Sequence, residues 1–129
     1  MSGPLRKILV IDDDADLVRA LGTRLRAEGF GFLAAGDGVM AVAAARREKP
    51  DLILLDLGLP GGDGYQVLGR LKTLTTTSST PVIVLSAKDP AVHQERSIAA
   101  GADAFIAKPA ESAVLIAEIR RLLGDGAQG

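Results

Sequence analysis

Five short apolar runs recur along the chain, at 7–11 (KILVI), 30–35 (FGFLAA), 52–55 (LILL), 82–85 (VIVL) and 104–107 (AFIA). Each is too short for an ordinary helix and is apolar on both sides. Strands of a parallel sheet covered on both faces look like this, whereas a sheet with one wet face would alternate. Between the runs the period becomes helical. Leu17, Val18, Leu21 and Leu25 mark a first helix, with Gly29 where a left-handed cap belongs. An alanine-rich second helix spans 38–48 and stops short of Pro50. A third, 64–73, opens after Asp63 as its capping acid; a fourth opens on Asp89-Pro90 and ends at Gly101; Val114, Leu115, Ile119, Leu122 and Leu123 stripe a fifth. Five strand-then-helix repeats predict a single doubly wound α/β domain. The polar stretch TLTTTSST, 73–80, is expected to be a loop. Residues 1–5 are expected as an N-terminal extension, 6–123 as the domain, and 124–129 as a tail or linker stub.

Composition narrows the function. With 129 residues, 47% hydrophobic and 24% charged, the chain suffices for one core. A net charge of −1 without a basic patch gives no general attraction to nucleic acid or anionic lipid, so no direct nucleic-acid binding and no membrane are expected. Cysteine is absent, which removes disulfides and thiolate metal sites. The apolar runs fall short of membrane-spanning length, and MSGPLRK is too short and polar for a signal peptide. A soluble cytoplasmic protein is the expectation.

Candidate chemistry lies at the ends of the apolar runs. In a parallel sheet every strand ends at the same edge, and ligands bind outside those ends where the strand order reverses. The first run ends at Asp12-Asp13, the third at Asp56, the fourth at Ser86 and the fifth at Lys108-Pro109. Carboxylates held about 5 Å apart repel by roughly 3 kcal/mol per pair at an effective dielectric of about 20. Such a cluster requires a cation. Ligands that are all oxygen select a hard divalent ion, and a few carboxylates with room for water suit Mg²⁺ better than a full calcium cage. Mg²⁺ and the Lys108 ammonium would neutralise the oxygens of an incoming phosphoryl group, and Ser86 would add a hydroxyl donor. Asp56 is then a candidate nucleophile that accepts the phosphoryl group.

Four segments carry a family likeness: KILVIDDD (7–14), DLILLDLGLPGGDG (51–64), VIVLSA (82–87) and GADAFIAKP (101–109). In this order and spacing, over about residues 6–123, the chain resembles the receiver domains of two-component response regulators, whose fold is flavodoxin-like. The resemblance implies a five-stranded parallel sheet ordered 2-1-3-4-5, with helices on both faces. It implies that Asp56 receives a phosphoryl group from the phosphohistidine of a sensor histidine kinase or phosphotransfer protein. Asp12, Asp13, Asp56 and the backbone carbonyl of Gly58 would hold Mg²⁺, while Ser86 and Lys108 would hold the phosphoryl oxygens. Ser86 and Phe105 would form the switch, and the Lys108-Pro109 bond would be cis. The fourth helix, fifth strand and fifth helix would face an output partner or effector domain, and the first helix would help dock the kinase. Homodimer formation on phosphorylation is the family's common habit, for which the charge pattern gives no independent sign. A signalling phosphoacceptor is implied rather than an enzyme, its own chemistry limited to Mg²⁺-dependent self-phosphorylation and self-dephosphorylation. The chain departs from the pattern at Gly58 and Lys88, which flank the phosphoryl site in the family, at Ala110 in place of an aromatic, and at Phe105, which lacks a tyrosine hydroxyl.

Two rivals compete. Asp12-Asp13-Asp14 after a strand is similar to the opening of haloacid dehalogenase-type phosphatases and would make Asp12 the nucleophile, but Ala15-Asp16-Leu17 follows where that family has a small residue and then threonine. Gly36-Asp37-Gly38 fits a loose dinucleotide loop, yet its acid would repel pyrophosphate. Simpler roles are also open: Asp14 or Asp16 as a helix cap, Asp51 and Asp63 as solvated or capping acids, and Ser86 bonding a local backbone group. His93 is expected to be exposed, and Arg46, Arg47, Lys49, Arg120 and Arg121 to line solvated helix faces.

Overall fold

A computed structural model describes residues 5–59 and 64–124. Asp63, expected to cap the third helix, lies outside the described residues, as do most of the two terminal segments. The strands are β1 (Lys7–Ile11), β2 (Gly31–Ala35), β3 (Leu52–Leu55), β4 (Val82–Ser86) and β5 (Ala104–Ala107). The helices are α1 (Ala15–Ala27), α2 (Gly38–Glu48), α3 (Gly64–Thr73), α4 (Pro90–Ala99) and α5 (Ser112–Leu123). All pairings are parallel, in the order β2-β1-β3-β4-β5.

The unbroken apolar runs have a direct structural reason. Successive side chains of a strand point to opposite faces, and here both faces are covered. Leu9, Ile11, Ile53, Leu55, Val82 and Val84 pack beneath α2 and α3. Their neighbours Ile8, Val10, Leu52, Leu54, Ile83 and Leu85 pack beneath α1 and α5. Either set made polar would bury unpaired groups on one face, so alternation is excluded.

Capping settles which acids are structural. Asp14 accepts from the N–H groups of Asp16 and Leu17 and so caps α1. Asp37 accepts from Met40 N–H at the start of α2, which gives the acid of Gly36-Asp37-Gly38 a structural use. Asp89 caps α4 through Ala91 N–H. Asp51 accepts from Lys7 N–H at 2.7 Å and ties the start of β1 to β3.

Two expectations hold with added detail, and two are corrected. The stretch that follows α3, 74–80, is a loop as expected, and it is anchored by Thr77, which is buried with its hydroxyl donating to Leu71 O at 2.6 Å. Lys49 is exposed as expected, and its backbone adopts a left-handed conformation (φ 48°) that closes α2 ahead of Pro50. Arg120 does not line a solvated face: it donates to the Glu28 carbonyl and carboxylate, and its guanidinium lies 5.0 Å from the Phe30 ring centroid. His93 is half-buried rather than exposed.

Gly64, at the head of α3, leaves no room for a side chain. A Cβ there would stand 2.4 Å from Leu57 Cα and 2.6 Å from Leu57 O, backbone atoms that cannot rotate away. Gly64→Ala is therefore expected to destabilise the domain by about 1–3 kcal/mol, the usual cost of overpacking, measured as a lower midpoint in urea with an unchanged slope. An unchanged midpoint would mean that the segment after β3 yields freely.

Candidate functional site

The order reversal at β1 and β3 builds the site. Ile11 lies opposite Leu55 in the register, so Asp12 and Asp56 leave neighbouring strands at the same level. Asp56 N–H donates to Ile11 O at 2.9 Å, and Asp12 N–H to Ala35 O at 3.1 Å, which pins both backbones. One carboxylate oxygen from each of Asp12, Asp13 and Asp56 lies within 4.8 Å of the others. Asp12 is 5% exposed, Asp56 is half-buried and Asp13 faces water.

The cation arrives from the other side of the sheet. Lys108 N–H donates to Ser86 O at 2.8 Å, which sets the start of its side chain beyond the ends of β4 and β5. Its Nζ lies 2.7 Å from Asp12 Oδ2 and 3.9 Å from Asp56 Oδ1. Asp12 Oδ1 in turn accepts from Asp14 N–H at 2.9 Å. Both oxygens of Asp12 are thus occupied. Asp56 accepts one hydrogen bond, from Gly58 N–H to Oδ1 at 3.2 Å, and its Oδ2 accepts none among the described residues. Burial pushes the Asp56 carboxyl above its ordinary value; the Gly58 N–H and Lys108 pull it back, and the charges of Asp12 and Asp13 push it further up.

The remaining candidates lie around this cluster. Ser86 is completely buried at the end of β4, and its Oγ accepts from Lys88 N–H at 3.0 Å, the local bond that a serine can form. Phe105 pairs in register with Val84 and packs on the α2 and α3 side of the sheet. By strand alternation Ser86 shares that side. The Lys108-Pro109 bond is cis. A Cβ on Gly58 would stand 3.8 Å from Asp56 Oδ2, an ordinary contact, so glycine here leaves that flank of the carboxylate open.

A donor set of three carboxylates with no nitrogen or sulfur fits a hard divalent ion. Asp12 and Asp56 supply the buried side and Asp13 the wet side, where coordinated water can remain. Replacing Asp13 with asparagine relieves repulsion and removes one ligand. Its expected result is a slightly higher melting temperature without metal and a Mg²⁺ affinity lower by about tenfold or more, the scale on which even outer partners of a metal act. Unchanged melting together with unchanged affinity by calorimetry would count against the cluster.

The sequence did not reveal one contact between α3 and α4. The Tyr65 hydroxyl lies 2.7 Å from His93 Nδ1, the two rings stack with centroids 5.9 Å apart, and the Arg96 guanidinium lies 4.1 Å from the Tyr65 ring centroid. The contact ties α3 to α4. A signal existed, since His93 and Arg96 are three apart on one helix face and Tyr65 opens α3, but only the fold brings them together.

Comparison with known proteins fits this geometry. The response regulator receiver domain model matches residues 8–120. The chain belongs to that family. This receiver domain is 42% identical over 118 residues to the DNA-binding response regulator MtrA of Mycobacterium tuberculosis H37Rv, covering 92% of the chain and 50% of MtrA. It is 40% identical over 116 residues to the response regulator PleD of Caulobacter vibrioides, covering 90% of the chain and 26% of PleD. The chain thus spans about half or less of the curated relatives it matches. Among solved structures, a CheY-like receiver domain protein from Methanospirillum hungatei JF-1 superposes with a TM-score of 0.88 at 26% identity, covering 97% of this chain and 98% of that one. The receiver domain of sensor histidine kinase PA1611 from Pseudomonas aeruginosa PAO1, solved with a magnesium ion coordinated in its active-site cleft, gives 0.84 at 29% identity, covering 94% and 99%. The receiver domain has the flavodoxin-like architecture and the strand order that the resemblance implied. Among its described residues no helix is long and apolar enough to cross a membrane.

Proposed function

We propose that this receiver domain is a signalling phosphoacceptor that takes a phosphoryl group onto Asp56 in a Mg²⁺-dependent reaction. The donor is a phosphohistidine on a sensor histidine kinase or phosphotransfer protein. The convergence of three carboxylates and one ammonium at a single sheet edge, with Asp56 the least engaged of the buried acids, carries this reading.

The chain's residues divide the work. The Asp56 Oδ2, which accepts no hydrogen bond among the described residues, attacks phosphorus as the phosphorus–nitrogen bond breaks, and the electron pair leaves with the imidazole. Lys108 stands close enough to turn from Asp12 toward a phosphoryl oxygen, and its charge offsets the negative charge that builds there. Ser86, released from Lys88 N–H, donates its hydroxyl to another oxygen, and the space it leaves admits Phe105. That movement would carry the signal across the sheet as a two-state change. Mg²⁺ held by Asp12, Asp13 and Asp56 would neutralise two charges and orient the incoming group. Gly58 leaves a flank of Asp56 open, so water reaches the acyl phosphate and the domain returns to its resting state without a separate catalyst.

The output partner is unassigned. MtrA bears a DNA-binding name and this chain covers 50% of it, so the expectation that this domain avoids nucleic acid rests on its charge alone. A cytoplasmic site and a non-enzymatic role belong to the same proposal.

Incubation with Mg²⁺ and acetyl phosphate, followed by peptide mapping, tests it. Added mass on Asp56 is expected, and its dependence on Mg²⁺ should be complete on chelation. Label on Asp12, with rapid turnover of added phosphate esters, would favour the phosphatase reading; no label at all would overturn the proposal.

A further inference from the structure

The ten arginines of the chain divide unevenly. Arg19, Arg24, Arg47, Arg120 and Arg121 pair with carboxylates. Arg26 and Arg96 lie over the rings of Phe32 and Tyr65, and Arg6 donates to Leu123 O. Arg46 and Arg70 alone have no hydrogen bond, ion pair or ring contact among the described residues, and both are exposed. These two line the same cleft. It has a volume of about 270 Å³, lies between α2 and α3, and is floored by Val42 and Val67.

One edge of this cleft is apolar. Val39 is 81% exposed on its edge, and Met40 beside it is 57% exposed. An aliphatic floor flanked by two guanidiniums, one from each helix, offers an apolar side chain a seat and a carboxylate a partner on either side. Arginine suits this use better than lysine, because its fork bonds carboxylates in pairs and is less strongly hydrated.

We propose that the α2–α3 cleft docks an acidic amphipathic helix of a partner protein, with its aliphatic stripe on Val39, Val42 and Val67 and its carboxylates on Arg46 and Arg70. The groove between two helices matches the helix-in-groove mode of recognition, in which affinity comes from the apolar stripe and selectivity from the flanking charges. This surface is separate from the Asp56 cluster, and the proposal does not depend on phosphoryl transfer. The site chemistry and this docking can fail independently.

The probe is a synthetic helical peptide of about 16 residues, four to five turns, with leucines at i, i+4 and i+7 and glutamates on both flanks. A second peptide carries lysine in place of each glutamate. Binding to the full chain is read by fluorescence anisotropy at two salt concentrations and mapped by amide chemical shifts. The glutamate peptide is expected to shift Val39, Val42, Val67 and Arg70 and to weaken with salt. In the double variant R46E/R70E its affinity should fall about tenfold or more, and the lysine peptide should now be the better ligand. The variant's melting curve and its acetyl phosphate labelling serve as controls, since both arginines are exposed and neither is among the partners of Asp56. Four results would overturn the proposal: no saturable binding, equal binding of both peptides, shifts confined to α1, α4 or α5, or competition by inorganic phosphate alone. Concentration-dependent self-association that R46E/R70E abolishes would instead assign the cleft to a second copy of the chain, and would also overturn it.

Discussion

Replacing Asp56 with asparagine should abolish phosphoryl uptake and, at neutral pH, raise the melting temperature of the metal-free protein. Asparagine keeps the shape but offers no anionic oxygen to attack phosphorus, so labelling by acetyl phosphate disappears. The stability gain follows from the raised pKa, whose main cause is burial. In the folded chain the carboxyl holds its proton to a higher pH than in the unfolded chain. Between those two values the unfolded chain binds fewer protons, so stability falls as pH rises through the window that starts at the ordinary aspartate value. Above the folded value the full cost of burying the charge is present, and Asp56→Asn removes it. Below the ordinary aspartate value both forms are neutral and the difference closes. Thermal melts at acidic and neutral pH measure this. Equal differences at the two pH values would deny that the carboxylate is disfavoured in the fold, and labelling that persists in the variant would move the nucleophile to Asp12 or Asp13.

Lys108→Ala should slow phosphoryl uptake by about 10²- to 10³-fold, the usual consequence of removing one fixed donor from a site where negative charge develops. It should also lower stability. Lys108 lies 2.7 Å from Asp12, whose side chain is 4% exposed, and among the described residues loss of the ammonium leaves that buried charge with Asp14 N–H alone. The expected cost is about 2 kcal/mol, below the roughly 3–5 kcal/mol of a fully buried pair because Lys108 keeps some contact with water. Lys108→Arg separates the two roles. Its charge should recover much of the stability, while its planar fork cannot occupy the position of a point charge, so uptake should remain slow. Uptake that recovers fully with arginine would show that any cation in the cleft suffices. Uptake unchanged in Lys108→Ala would remove Lys108 from the reaction.

The sheet and its covering helices were legible because burial on both faces leaves a local mark. Leu52 to Leu55 can be apolar without interruption only if helices cover each side, and the caps Asp14 and Asp89 act on residues two or three positions away, although the cap at Asp37 went unread. The site was legible for a related reason. Strands that run in parallel must deliver Asp12, Asp56, Ser86 and Lys108 to one edge, whatever their separation along the chain. The partners within that edge were legible only in part. The Lys108 ammonium bonds Asp12 at 2.7 Å and stands 3.9 Å from Asp56, a choice set by packing between elements, whereas the local backbone bond open to Ser86 was legible and is made by Lys88 N–H.

Elsewhere the sequence was silent or misleading. His93 and Arg120 look like ordinary surface residues until Tyr65 is set against α4 and Glu28 against α5. Arg46 and Arg70 look like any solvated arginines until every other arginine has found its partner. The sequence by itself determined the domain, its parallel sheet, its helix caps and which residues stand at the strand ends, since each depends on neighbours within a few positions or on one shared strand direction. Only the tertiary structure decided which charges meet, which ring covers which cation and which cleft remains unpaired, because such contacts join residues from different elements whose separation is set by packing.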